Sequence, residues 1–222
     1  MSTYETTYND PALAGAAIER DARELLGQVM GYVAVTVGFA ALGAYLGRDL
    51  SGGTGLLLFI PAFAAIIGLN IASARGREQL ATGLLFAMGL LLGLAVAPVI
   101  ADYAGADPSA LWQAAGATAA FVAALGAYGY ATRRDLTSWA RTLFWSLLGL
   151  IGFGIVGIFV SIPGGNVIYA VAGLGIFGAF TIYDFNRLRR SADAAVLIAA
   201  SIFLDIFNVF LLLLDLFGGR RD

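Results

Sequence analysis

The 222-residue sequence contains no cysteine, no histidine and no lysine, and all 13 of its basic residues are arginine. Without His or Cys there is no zinc site of the usual kind, no haem axial His, no Ser-His or Cys-His nucleophile and no disulfide. Without Lys no Schiff base can form, which disposes of a retinal-binding pump or sensor. Charge is scarce as well. Only 13% of residues are charged and 59% are hydrophobic, against about 25% and 45–50% in an ordinary soluble domain. The net charge of −2 and the scattered arginines offer no basic stripe, so nucleic acid is not an expected partner. Lipid, protein or an ion remains.

What is present is apolar sequence in long runs. Hydrocarbon about 30 Å thick needs about 20 apolar residues per helical crossing. Runs between breakers predict seven spans, at about Leu25 to Leu46, Leu56 to Ala74, Leu80 to Ile100, Leu111 to Ala131, Trp139 to Val160, Val167 to Phe185 and Ala194 to Phe217. Residues 1–24 read as a cytoplasmic segment with no basic residue before Arg20, so no cleaved signal is expected. Residues 25–217 form one transmembrane domain and 218–222 a short tail. Ten of the thirteen arginines fall on one side of these spans; Arg48, Arg220 and Arg221 fall on the other. The positive-inside rule then places the N-terminus in the cytoplasm and the C-terminus outside a cell membrane crossed many times. Gly27 and Gly31, Ala34 and Gly38, Gly89 and Gly93, and Gly175 and Ala179 stand four apart, a spacing that lets helix backbones approach closely.

Connections this short leave the bundle interior as the place for function. An Asp at the bilayer centre costs roughly 2.5–3.5 kcal/mol on insertion scales, so it faces protein or a water-filled cavity. Asp205 sits mid-span in SIFLDIFNVFLLLLDLF. At 100° per residue Ser201, Asp205, Asn208 and Asp215 share one stripe, which predicts a central seventh helix with those residues lining a cavity. Asp184, in FTIYDFNRLRR, lies near the cytoplasmic end of the sixth span. Two carboxylates brought together cannot both ionise cheaply and tend to share a proton; when both ionise they offer hard oxygens to a cation such as calcium. The spacing poses a difficulty. Asp205 is about 16 Å into its helix by the 1.5 Å rise, whereas Asp184 is about one turn from the cytoplasmic end of its own.

TIYDFNRL (Thr181 to Leu188) and DAAVLIAASIFLDIFNVFLLLLDLFG (Asp193 to Gly218) resemble the C-terminal signature of the Bax inhibitor-1 family, also called transmembrane BAX inhibitor motif proteins. FAMGLLLGLAVAPVI (Phe86 to Ile100) is similar to that family's glycine-rich third helix. The resemblance implies six helices around a seventh and a pH-sensitive calcium leak controlled by an aspartate pair on the last two helices, here Asp184 and Asp205, which would also be the cation ligands. It further implies an arginine at the end of the second helix that latches the sixth-helix aspartate. Counting back from Gly93 and Pro98 gives that role to Arg75, while a wheel groups Arg77 with Asn70 and Ser73. Asp215 stands where the family often has a basic residue.

These readings describe a non-enzymatic, pH-regulated cation leak with the bilayer, calcium and protons as partners and no cofactor beyond the ion carried. Two alternatives remain. One is a non-conducting regulator that binds a membrane protease or a stress-response partner. The other is an intramembrane aspartyl protease, whose second motif, glycine-x-glycine-aspartate, is absent, because Ile202, Phe203 and Leu204 precede Asp205.

Overall fold

A computed structural model describes residues 11–161, 163–188 and 194–219, with the backbone alone at 11–19 and 21. Seven α-helices and, among the described residues, no strand make up the fold: α1 (Pro11–Leu46), α2 (Gly52–Ala74), α3 (Glu78–Ala106), α4 (Pro108–Ala131), α5 (Trp139–Phe159), α6 (Gly165–Leu188) and α7 (Ala195–Gly218). Each carries a stretch long and apolar enough to cross a membrane. The protein is an all-α, multi-pass membrane protein. Five helices match the expected spans to within a few residues. α1 differs by starting at Pro11, because the segment PALAGAAIERDARELL, rich in Ala, Leu and Glu, continues a helix well before the apolar run begins. α3 runs through Pro98 to Ala106, six residues past the expected end.

Helix ends follow local chemistry. Ser51 caps α2 by accepting from Thr54 N at 3.3 Å. At the other end Gly76 takes φ +67°, its N–H donates to Ser73 O at 2.9 Å, and Arg77 N donates to Ala72 O at 2.9 Å. This is a Schellman ending, in which a glycine free of Cβ strain turns the chain directly into α3. Arg75 is the C-cap residue of that ending.

α7 is the centre. It packs against α1, α2, α3, α4 and α6, and its first half and second half belong to different apolar clusters. Ile198, Ile202 and Phe203 pack with Val29, Leu69 and Met88 of α1 to α3. Val209, Leu212 and Leu214 pack with Ala114, Ala170 and Phe177 of α4 and α6. Of the six helices around α7, five pack on it backbone to backbone and α5 stands further out. α5 rests its backbone on α6 alone, and Leu147 and Leu150 reach the second cluster.

The small-residue spacing works at one seam and fails at another. A Cβ at Gly93 would lie 2.0 Å from Ala40 O and one at Gly89 2.7 Å from Thr36 O, so the backbones of α1 and α3 touch there. Gly27, Gly31, Gly38 and Gly175 face open space, with nothing within 4 Å of a built Cβ. Apolar lipid is as good a neighbour as apolar protein, so a glycine spacing alone does not say which face is packed.

Candidate functional site: a buried aspartate pair

The two helices that carry the site run antiparallel, and their register can be read from side chains. Ser201 Oγ donates a hydrogen bond to Asp184 Oδ2. One turn deeper, the Asp205 carboxyl acts on both Asp184 and Thr181. Deeper still, a Cβ at Gly173 would lie 2.7 Å from Leu212. Each step of three or four residues back along α6 is thus a like step forward along α7.

This register resolves the depth difficulty. Ser201, six residues into α7, is level with Asp184, four residues before the end of α6. α7 therefore begins about 3 Å beyond the end of α6 at 1.5 Å per residue. Asp205 lies one turn below that level and reaches Asp184 across a stagger of one turn, not face to face. The pair falls between the two apolar clusters of α7, and Asp184, Thr181 and Asp205 are 1%, 0% and 4% exposed.

Hydrogen bonding around the pair is incomplete. Thr181 Oγ1 donates to its own helix at Phe177 O, 2.9 Å away. Asp205 Oδ2 is buried and has no hydrogen-bond partner. A buried carboxylate oxygen without a donor is costly, and the cost is removed by a proton on the pair, a water or a cation. Two carboxylates and the Ser201 and Thr181 hydroxyls form a set of hard oxygens. Calcium takes six to eight such ligands, so water would have to complete its shell. Among the described residues no group of three or more acidic, His or Cys side chains is poised to hold a metal ion.

The remaining expected residues fall elsewhere. Asn208 turns its amide back to Leu204 O at 2.7 Å. Asp215 is exposed and lines a separate groove of about 760 Å³ with residues of α5 and α6, among them Asn166 and Tyr169. The polar stripe of α7 is thus buried at Asp205, half-buried at Ser201 and Asn208, and open at Asp215, because α5 does not cover its outer end. A larger cleft of about 960 Å³ meets α7 on Phe203, Ile206, Phe207 and Phe210, not on Ser201 and Asn208 as the stripe suggests.

Arg75 does not latch Asp184 in this structure. α2 packs on α3 and α7 and has no contact with α6, and Arg75 stands exposed at the C-cap of α2, with Arg77 exposed beside it. The cation whose charge acts on Asp184 is Arg187, three residues on along the same helix. Sequence reasoning also passed over Asn186. Its side chain is buried, and Nδ2 donates to Gly129 O, Thr132 O and Arg134 O at 3.4, 3.3 and 3.2 Å. It ties the end of α6 to the carbonyls at the end of α4, beside a seam where a Cβ at Gly129 would lie 2.3 Å from Ile182 O. No periodicity in the sequence marks it; only a contact across more than fifty residues does.

A family model described as "Inhibitor of apoptosis-promoting Bax1" matches residues 22–222, which takes in both aspartates and all seven helices but the start of α1. The chain belongs to the Bax inhibitor-1 family. Among its relatives is the inner membrane protein YbhL of Escherichia coli, 27% identical over 74% of each chain. An uncharacterised protein of Caulobacter vibrioides is 30% identical over 79% of this chain and 74% of its own. A Golgi anti-apoptotic protein of vaccinia virus is 32% identical over 76% of this chain and 71% of its own. Within this Bax inhibitor-1 family member the aspartate pair is the most deeply buried charge-bearing site among the described residues.

Proposed function

We propose that this Bax inhibitor-1 family member is a proton-gated cation leak of the membrane, with calcium as the cargo its oxygens suit best. The observation that carries the reading is the direct contact of two buried carboxyl groups inside the bundle, one of them with an orphaned oxygen. In a dry interior the pair holds one proton between its members, and apolar side chains of α6 and α7 seal it on either side. A second proton takes the charge from Asp184 and releases it from Arg187, which loosens the end of α6. Open molecules therefore increase as pH falls. The same protons compete with calcium for the carboxylates, so cation binding and opening respond to pH in opposite directions.

Calcium flux into proteoliposomes at a series of pH values tests this. The wild type is expected to carry more calcium as pH falls, Asp184→Asn to leak with little pH dependence, and Asp205→Asn to lose cation binding. Arg187→Ala, by removing the cation that faces Asp184, is expected to resemble Asp184→Asn, whereas Arg75→Ala decides whether a second conformation uses the α2 arginine. A wild type that carries no calcium at any pH defeats the reading and favours a non-conducting regulator, which the anti-apoptotic name of the vaccinia relative supports. We also infer a cytoplasmic N-terminus and an outer C-terminus from the arginine bias; reporter fusions at the connections holding Arg75, Arg133 and Arg187 test it.

A further inference from the structure

α1 and α4 do not touch. Between them runs the cleft of about 960 Å³, floored by α3 and by Phe207 and Phe210 of α7, and walled by Ala41 and Ala44 on one side and Ala119 and Ala123 on the other. Protein interiors do not keep voids of this size, and this one opens sideways between two lipid-facing helices. Its lining runs along α1 from Met30 to Tyr45 and on to Arg48 just past the helix end, the helical part alone about 23 Å at 1.5 Å per residue. That is most of the hydrocarbon thickness of about 30 Å.

One end is chemically distinct. Among the described residues Arg48 is the only charged side chain of the lining, and its guanidinium lies 4.4 Å from the centroid of the Tyr45 ring. Asp49 takes the Nε edge at 3.6 Å, and half of the arginine side chain stays accessible. Trp112, 79% exposed, stands one turn from Ala115 of the opposite wall. Exposed Tyr and Trp at one level mark the headgroup zone of a bilayer, so the cation is held where lipid phosphates are. An extended apolar slot that ends in one arginine fork is complementary to an amphiphile with a single anionic head.

We propose that the α1–α4 cleft is a binding site for one anionic phospholipid, with an acyl chain along the alanine walls and the phosphate on the terminal amino groups of Arg48. Neither the aspartate pair nor cation flux enters into this, so the site stands or falls separately from the leak reading.

The test is native mass spectrometry of the full-length protein after incubation with phosphatidylglycerol or phosphatidylcholine of the same chains. One phosphatidylglycerol is expected to stay bound to the wild type in preference to phosphatidylcholine. Arg48→Gln should reduce that preference by about fivefold, the worth of one arginine near an anionic surface, and Arg77→Gln, at the other end of the bundle, should leave it unchanged. Ala119→Phe, which fills the slot, should remove the bound lipid of either kind, with Ala41→Phe as a second plug should the first fail to fold. Equal retention of the two lipids by the wild type, an unchanged preference in Arg48→Gln, or a plugged variant that keeps its lipid overturns the proposal. So does a second protein chain, in place of lipid, in the retained mass.

Discussion

α6 has two very different neighbours. α7 and α5 are of similar length, 24 and 21 residues, and both are apolar enough to span, yet 56% of the α7 span is buried and only 11% of the α5 span. Hydropathy does not separate them. Polar content does: α5 has no polar side chain between Ser146 and its end at Phe159, whereas α7 carries Ser201, Asp205 and Asn208 through its middle. A helix with nothing but apolar atoms is content against lipid, and one with a mid-span carboxyl has to be surrounded by protein. The centre of this bundle is held where it is by what lipid would reject.

The sharpest way to break the comparison is to truncate the same residue on both helices. Phe203 of α7 is 1% exposed and Phe159 of α5 is 82% exposed. Since lipid is as apolar as the core, the cost of Phe203→Ala is mainly that of the cavity, about 2–4 kcal/mol. Thermal unfolding in detergent should show that loss, and Phe159→Ala should stay within about 0.5 kcal/mol of wild type. Equal losses would mean that α5 is covered in the native membrane by something absent from this fold.

Adding volume should separate the neighbours by sign. Leu at Gly173 must displace Leu212 of α7, 2.7 Å from the built Cβ, at about 1–3 kcal/mol. Leu at Gly149 of α5 meets open space and should raise stability by about 0.5 kcal/mol through helix propensity. A smaller effect is expected where α5 is tethered through its loop. Asn186→Ala strands carbonyls of residues 129, 132 and 134 at about 1–2 kcal/mol, and limited proteolysis should find the connection between Thr132 and Ser138 cut faster while α7 stays protected.

Much of this was legible in the residues. Breakers such as Gly52 and Pro108 bounded the spans because membrane helices need unbroken apolar length, and Asp205 pointed to a central α7 because its wheel position is intolerable in lipid. The pairing of Asp184 with Asp205 was implied by the family resemblance, against a depth count that set them apart, and the stagger that reconciles the two was not legible, because it depends on α7 starting beyond the end of α6. Arg75 is a different case. Its distance along the chain and its place at a helix end say nothing of which helix packs beside it, and α2 turns out to lie away from α6. Asn186 and Gly43, and the choice of α1 as the partner that Gly89 and Gly93 approach, were unreadable for a related reason: contacts between helices in a uniformly apolar medium leave little trace in composition.

The depth of Asp205 also makes it an electrical element. It is the eleventh residue of the 24 in α7, so a proton or cation that reaches it from either side has crossed about half of the hydrocarbon. A full crossing is worth about 2.3 kcal/mol per elementary charge for each 100 mV, so arrival at Asp205 is worth about 1 kcal/mol. One pH unit corresponds to about 1.36 kcal/mol. An energised membrane at 100 mV therefore moves the occupancy of the pair by nearly as much as a full unit of pH, and the same protein would sit in a different protonation state in a polarised cell than in a vesicle with no potential across it.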